Sequence, residues 1–189
     1  MKRDKTCILD LKEDRKLGHT AALAVARQVL HWFEPLGDAP LLSPDACPIA
    51  LWEFERGRVF YTFPDLGEGV KAAIHHEGEP ADPDRVRREV GAEDVAEVRA
   101  LLAQLVPRAA GRLLESCVCL YTNTPDQHFL LDRHPQHPRV LLASPCSGHG
   151  FKFAPVVGEV VADLVTNGRS RFDLRPFALE RFGIAGVGG

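Results

Sequence analysis

The segment from Cys117 to Phe153 constrains the fold of this 189-residue chain more than any other part of it. Short apolar runs bounded by turn residues predict three strands, at Arg112–Tyr121, Gln127–Asp132 and Arg139–Ser144. A helix is predicted over Phe151–Val165, because Asn167-Gly168 forms a good left-handed cap at its end. The segment thus predicts strands that lead through a tight turn into a helix.

The turn between the last strand and this helix is Ser147-Gly148-His149-Gly150. Glycine permits positive φ and close approach of a ring or a phosphate, and a helix N-terminus offers unpaired N–H groups that favour negative charge. Lys152 would bring a positive charge into the first helical turn, where the helix dipole disfavours it, and this cost indicates a functional reason. Tight packing explains such a turn at least as often as ligand binding, and the Lys152 stem can equally extend to solvent.

An antiparallel sheet is predicted before this segment. Alternating apolar and polar residues predict a strand from about Leu23 to Pro35. A hairpin is predicted from Ala50–Glu55 and Val59–Phe63 about the Arg56-Gly57 turn, and a further strand over Gly67–His76. One face of such a sheet is covered, and charged residues on the other can face a ligand.

A helical region follows the sheet. Asp82-Pro83 and Asp84 mark a helix start, apolar spacing predicts a helix over Asp94–Leu105, and Pro107 ends it. Residues 1–21, by contrast, carry dense charge and no strand or helix period, so we expect an atypical or truncated N-terminal segment.

Two residues of the Gly67–His76 strand are candidates for a ligand site. Lys71 is flanked by small apolar residues, so a central position in the sheet would desolvate its ammonium group, whereas an edge position would leave it in water. His75 lies four residues later and therefore on the same face of the strand.

Composition excludes some classes of partner. The net charge is −3 and no basic patch occurs, so nucleic acid is not expected. No apolar run approaches the roughly 18–20 residues that span a bilayer, so no membrane partner is expected. The N-terminus lacks the apolar core of an export signal, which predicts a cytoplasmic location.

The five cysteines form no recognisable disulfide framework: Cys7, Cys47, Cys117, Cys119 and Cys146. Cys117 and Cys119 lie two positions apart, hence on one face of a strand. They can be small buried apolar residues. A zinc site with Cys146 and His149 is the other interpretation, although Cys-x-Cys is not the usual spacing of a structural zinc knuckle. No metal is expected.

A family resemblance is carried by the run CVCLYTNTPDQHFLLDRHPQHPRVLLASPCSGHGFKF, in which 33 positions separate Cys119 from Lys152. This run resembles the C-terminal half of the sarcosine oxidase group of FAD-dependent amine oxidases, within the D-amino-acid-oxidase-like superfamily. The resemblance implies an α+β fold. An antiparallel substrate-domain sheet at 22–110 would precede the C-terminal strand-helix part of a glutathione-reductase-like FAD-binding domain at 111–189. The N-terminal βαβ unit with its G-x-G-x-x-G turn is missing from this sequence.

The resemblance also implies roles for single residues. In that group a cysteine placed like Cys119 is bonded covalently to FAD, and a lysine placed like Lys152 faces the substrate carboxylate. A lysine placed like Lys71 promotes the reaction of reduced flavin with oxygen. Three further side chains would line the cavity: His75, Tyr61 and Tyr121. The turn would stabilise the anionic edge of the reduced flavin, through Ser147, Gly148, His149, Gly150 and Phe151.

The implied activity is the FAD-dependent oxidation of a small secondary-amine amino acid by oxygen, which yields hydrogen peroxide, with this chain as part of the full enzyme. The alternative is a non-catalytic remnant, or a fragment that needs a complementary chain such as the missing N-terminal half and cannot bind FAD alone.

Overall fold

Strands dominate the part of the chain that this computed structural model describes, which comprises residues 7–9, 23–37 and 39–183. The strands are β1 Cys7–Leu9, β2 Ala24–Phe33, β3 Ala50–Glu55, β4 Arg58–Phe63, β5 Val70–His75, β6 Glu79–Pro80, β7 Leu113–Asn123, β8 Leu130–Arg133 and β9 Val140–Ser144. The α-helices are α1 Ala92–Leu105 and α2 Ala154–Thr166. Short 3-10 helices occur at Ala39–Leu42, Pro107–Ala109, Phe151–Phe153, Arg175–Phe177 and Leu179–Phe182.

The chain divides into two compact units. Residues 25–121 form one, here called the sheet unit, and residues 1–24 with 122–189 form the other, here called the terminal unit. The division falls inside β7, whereas the sequence-based boundary lies at residues 110 and 111. The assignment of a substrate-binding and a FAD-binding domain stays a prediction.

The sheet unit is built on a six-stranded sheet in the order β3-β4-β5-β2-β6, with β7 also paired to β2. The pairs β3/β4, β4/β5, β2/β5 and β2/β6 are antiparallel, which confirms the predicted hairpin and the antiparallel sheet. Lys71 of β5 lies opposite Trp32 of β2 and opposite Phe63 of β4. These three residues therefore share one face of the sheet.

Helix α1 covers the other face. Strand β5 contributes Val70, Ala72 and Ile74 to a cluster with the buried apolar side of α1. Because side chains alternate along a strand, Lys71 and His75 point away from this core. The predicted two-faced sheet is thus present, and its core lies on the side of α1.

Helix α1 starts at Ala92, later than the start predicted from Asp82. The Asp82 carboxylate instead closes a tight turn by accepting a backbone N–H two residues on, at 3.0 Å. The N-cap residue of α1 is Gly91, and its N–H donates to the carboxylate of Asp94 at 2.9 Å. Arg27 of β2 also donates to this carboxylate, at 2.8 and 3.0 Å. The helix start therefore depends on a tertiary contact that the local sequence does not show.

The contact between Arg27 and Asp94 is a buried ion pair, since the two side chains are only 3% and 11% exposed. Arg27 also donates to the backbone carbonyls of Arg87 and Glu89, at 2.8 and 2.9 Å. The hydrogen bond from Arg27 lowers the pKa of Asp94 to about 2. Beside them His31 is fully buried, and its Nε2 lies 3.0 Å from the Asp94 carbonyl. Burial lowers the pKa of His31.

In the terminal unit, β9 pairs in parallel with β1 and antiparallel with β8. Leu130, Leu142 and Leu179 are its buried apolar core. The strand at Cys7–Leu9 lies in the segment whose sequence showed no strand or helix period. Three residues are too few to show a strand period. The remaining residues of the predicted segment 1–21 lie outside the described residues.

Strand β8 begins at Leu130, whereas the sequence predicted a start at Gln127. Gln127 has a left-handed φ of 59°, which interrupts an extended strand. The Thr124 hydroxyl donates to the His128 carbonyl at 2.6 Å and closes this turn. Side-chain hydrogen bonding thus replaces the start of the predicted strand.

Helix α2 begins at Ala154 rather than at Phe151, because a 3-10 helix occupies the residues between them. Its predicted end is confirmed, since Gly168 after the helix has a left-handed φ of 76°. Neither α1 nor α2, the described α-helices, combines the length and apolar character that crossing a bilayer requires.

Candidate active site

Lys71 lies in the middle of an aromatic row on the face opposite α1. Strand β5 lies between β4 and β2, so the edge-strand interpretation of Lys71 is wrong. Its Nζ is 4.9 Å from the Phe63 ring centroid and 5.5 Å from the Trp32 ring centroid. Among the residues that the structure describes, no carboxylate forms a salt bridge with this half-buried ammonium group.

His75, Tyr121 and Tyr61 form a polar row beside Lys71. The Tyr121 hydroxyl lies 3.2 Å from His75 Nδ1, and Tyr61 stands opposite Ala73 across the β4/β5 ladder. Burial raises the pKa of Tyr61, and its hydrogen bond with Tyr121 raises it further. Burial also raises the pKa of Tyr121, whereas the bond with Tyr61 lowers it. The two phenols therefore influence each other's ionisation in opposite directions.

His76 joins the same cluster, although sequence reasoning did not select it. Its ring centroid is 4.0 Å from that of His75 and 5.4 Å from that of Tyr121. Its φ of 63° is left-handed, which is uncommon for a residue with a side chain and occurs often at functional sites. The His75-His76 doublet ahead of a glycine was the available sequence signal.

Cys119 lies near the two tyrosines. Cys119 and Tyr121 lie two residues apart on β7 and therefore on the same face of this strand. Cys119 is a free, half-buried thiol, and its Sγ contacts the carbonyl of its neighbour Leu120 at 3.8 Å. Cys117 is also free but exposed. The two thiols therefore differ in burial.

The Ser147-Gly148-His149-Gly150 turn in the terminal unit is held by its own packing. Ser147 is fully buried, and its N–H donates to the Thr122 carbonyl at 2.9 Å. Gly148 has a φ of 73°, as the interpretation of this turn expected. His149 is fixed as well, because its ring stacks 4.9 Å from the Phe129 ring centroid.

Gly150 is required for a different reason from the expected one. Its φ of −77° is one that any residue adopts. A Cβ atom at this position would overlap the carbonyl oxygen of Pro145. The absence of a side chain at Gly150 therefore permits close approach within the turn itself, which supports the tight-packing interpretation for this glycine.

Phe151 and Lys152 protrude from the 3-10 helix that follows this turn. The Phe151 side chain is 96% exposed. Lys152 is exposed too, with Nζ 5.6 Å from the Phe153 ring centroid, and within the described part of the chain it forms no salt bridge. Because α2 starts at Ala154, Lys152 precedes this helix and does not lie in its first turn, where the sequence had placed it.

The structure thus groups the predicted site residues into two sets. The sheet unit holds Lys71, His75, Tyr61, Tyr121 and Cys119, and the terminal unit holds Ser147, Gly148, His149, Gly150, Phe151 and Lys152. Sequence reasoning missed Trp32, Phe63 and His76. The described ranges contain no group of three or more His, Cys, Asp or Glu side chains that could hold a metal ion.

Comparison with known proteins identifies the family. A family model described as FAD dependent oxidoreductase matches residues 10–164. The chain is 42% identical over 169 residues to a monomeric sarcosine oxidase of Bacillus sp. (strain NS-129), which covers 88% of this chain and 43% of that protein. It is 35% identical over 158 residues to an N-methyl-L-tryptophan oxidase of Salmonella enteritidis, with 82% and 42% covered.

Solved structures support the same fold. The L-proline dehydrogenase from P. horikoshii superposes with a TM-score of 0.73 at 21% sequence identity, over 92% of this chain and 44% of that one. An amino acid oxidase essential for nikkomycin biosynthesis gives a TM-score of 0.68 at 19% identity, over 87% of this chain and 44% of that one. The chain spans less than half the length of each of these relatives. With most of its length matched by the family, the chain belongs to the FAD dependent oxidoreductases.

Proposed function

We propose that this chain is part of a flavoenzyme that oxidises a small N-methylated or otherwise secondary-amine amino acid and passes the electrons to oxygen, which yields hydrogen peroxide. The observation that carries the proposal is the cluster of one ammonium, two imidazoles, two phenols and one free thiol within the sheet unit. The names of two relatives, a sarcosine oxidase and an N-methyl-L-tryptophan oxidase, share N-methyl amino acid substrates and support this class.

Each unit offers groups that suit contact with a flavin. Cys119 is a free, half-buried thiol beside two aromatic rings and is the attachment point we propose for FAD. In the terminal unit, Gly148 offers backbone without a side chain at positive φ, and Phe151 offers an exposed ring. Ser147, His149 and Gly150 would support this backbone. When bound, FAD supplies the acceptor for the electrons that the amine loses.

The cationic residues would act on negative charge. Lys71 would stabilise the charge that develops on oxygen as it is reduced, because an ammonium group without a carboxylate partner keeps its full field. Lys152 would pair with the substrate carboxylate, which its exposed Nζ can reach without breaking a salt bridge within the described residues. His75, Tyr61 and Tyr121 would order the amine end of the substrate by hydrogen bonding.

Flavin attachment tests the proposal with a matched pair of variants. The full chain is produced with FAD and denatured, and the Cys119 peptide is analysed by mass spectrometry. We expect flavin on this peptide in the wild type and in Cys117→Ala, and none in Cys119→Ala. Cys117 is the control, because it is a free thiol on the same strand.

Peroxide formation tests the chemistry. With sarcosine as substrate, Lys71→Met should lower kcat for oxygen consumption, whereas Lys152→Met should mainly raise KM, because it removes a binding contact. A colourless protein without attached flavin, and without peroxide production, would support the alternative of a remnant or of a fragment that needs a complementary chain.

A further inference from the structure

We infer that Trp32 and Phe63 are positioning residues that hold the Lys71 ammonium group between two aromatic faces, where no carboxylate of the described residues pairs with it. This inference deepens the proposed function and rests on the role assigned there to Lys71. It concerns residues for which the sequence offered no functional pattern.

The sheet itself creates the arrangement. Lys71 lies on an interior strand, and its direct neighbours across both ladders are Trp32 on β2 and Phe63 on β4. Side chains directly opposite each other in a sheet lie close together on one face. Both rings consequently approach the same ammonium group, at 5.5 and 4.9 Å from Nζ to the ring centroids. These distances are within the about 6 Å that a cation–π interaction requires.

Aromatic rings and carboxylates stabilise a cation with different consequences. A half-buried ammonium group needs compensation for lost hydration. A carboxylate would compensate for the lost hydration, but its negative charge would cancel the electric field of the ammonium group at the reacting atoms. The ring quadrupole attracts the cation and carries no net charge. Lys71 therefore remains able to stabilise negative charge that forms near it.

The rings also restrict the side chain. Lysine has a flexible four-carbon stem, which on an exposed strand samples many rotamers. Contacts from both sides reduce this freedom and set the position of Nζ. A cationic group acts most strongly when its position is fixed before the reaction.

Amine labelling of the full chain tests the sandwich, with Lys152 as an internal standard. Lys152 is exposed, and its Nζ lies near one ring instead of two. We expect the Lys71 amine to react only after it leaves the rings. Trp32→Leu or Phe63→Leu should then raise the rate of Lys71 labelling relative to Lys152 by about fivefold, because the loss of one ring removes about 1 kcal/mol of stabilisation. The matched variants Trp32→Phe and Phe63→Tyr keep a ring and should stay near the wild-type ratio.

Nuclear magnetic resonance provides a readout that a general packing defect would not mimic. Methylene protons held over ring faces are shifted upfield, so the Lys71 side chain should resonate upfield of Lys152 in the wild type and lose this shift in the leucine variants. Trp52 fluorescence checks folding, because Trp52 packs 5.7 Å from the Phe60 ring on a neighbouring strand. If the leucine variants do not fold, the wild-type spectrum decides alone.

The outcomes separate this inference from the proposed function. An absent upfield shift, or equal labelling in the leucine and ring-keeping variants, overturns the sandwich and leaves the role of Lys71 intact. A Lys71→Met variant with unchanged oxygen consumption overturns the role, while the labelling and spectral results of the chain itself still stand.

Discussion

Replacement of Asp94 by alanine should strongly destabilise the sheet unit. The change removes the closest carboxylate partner of Arg27, which is 3% exposed, and leaves it only the 52% exposed Glu79, at 3.3 Å. Loss of one partner of a buried ion pair costs about 3–5 kcal/mol. The same carboxylate also accepts the N–H of Gly91, the N-cap residue of α1, and this hydrogen bond is lost as well. Because Glu79 remains beside Arg27, we expect a loss at the lower end of that range, about 3 kcal/mol in the free energy of unfolding, which is a large part of the total stability of a domain.

Urea denaturation followed by tryptophan fluorescence measures this change, since both tryptophans, Trp32 and Trp52, lie in the sheet unit. Glu97→Ala is the matched control. Glu97 lies on the same helix and pairs with Arg58 at 2.7 Å, but it is 54% exposed, so its removal should have little effect. The double variant Arg27→Met with Asp94→Leu should recover much of the loss, because it leaves no unpaired charge.

The effect should depend on pH with a defined sign. The Asp94 pKa is lowered from 3.8 to about 2 in the folded protein. The contribution of the Asp94 carboxylate to stability is therefore complete above its pKa in the unfolded chain and is lost as the pH falls through its pKa in the folded protein. The difference between wild type and Asp94→Ala should shrink from pH 5 to pH 3. This reasoning would be refuted if Asp94→Ala were as stable as Glu97→Ala at pH 7. It would also be refuted if the stability difference between wild type and Asp94→Ala did not change with pH.

Two further predictions concern the site. The chain has two tyrosines, so each single variant leaves one phenol to titrate by ultraviolet absorbance. Tyr61→Phe should raise the pKa of Tyr121, because the interaction with Tyr61 lowers it, and Tyr121→Phe should lower the pKa of Tyr61. Shifts of both pKa values in the same direction would contradict this prediction. Gly150→Ala should destabilise the terminal unit by about 2 kcal/mol or more, because its Cβ meets the Pro145 carbonyl. In Gly168→Ala the new Cβ would meet no atom, so the stability loss should be only about 1 kcal/mol, which is the cost of alanine at a left-handed φ. Equal protection of β9 amides from hydrogen exchange in both variants would contradict this.

The strands of the sheet unit could be predicted because their patterns are local. Alternation defined β5, and turn residues at Arg56-Gly57 defined the hairpin. The start of α1 could not be predicted in this way, since the partner of Asp94 is Arg27, 67 positions away. The late start of β8 likewise depends on hydrogen bonds of Thr124, which compete with an extended backbone.

The candidate site was predicted through resemblance more than through pattern. Lys71 and His75 share a face by strand alternation alone, but the approach of Tyr121 to His75 is a contact between distant strands. Trp32 and Phe63 looked like ordinary strand aromatics, because their relation to Lys71 exists only in the pairing of three strands.

The hexapeptide of β5 divides two tasks between alternate residues. Val70, Ala72 and Ile74 hold the core, while Lys71 and His75 carry the proposed chemistry. Insertion or deletion of one residue here would exchange the two sets, burying the cation and exposing the apolar chains. Length variation among related chains should therefore be confined to the loops on either side of β5.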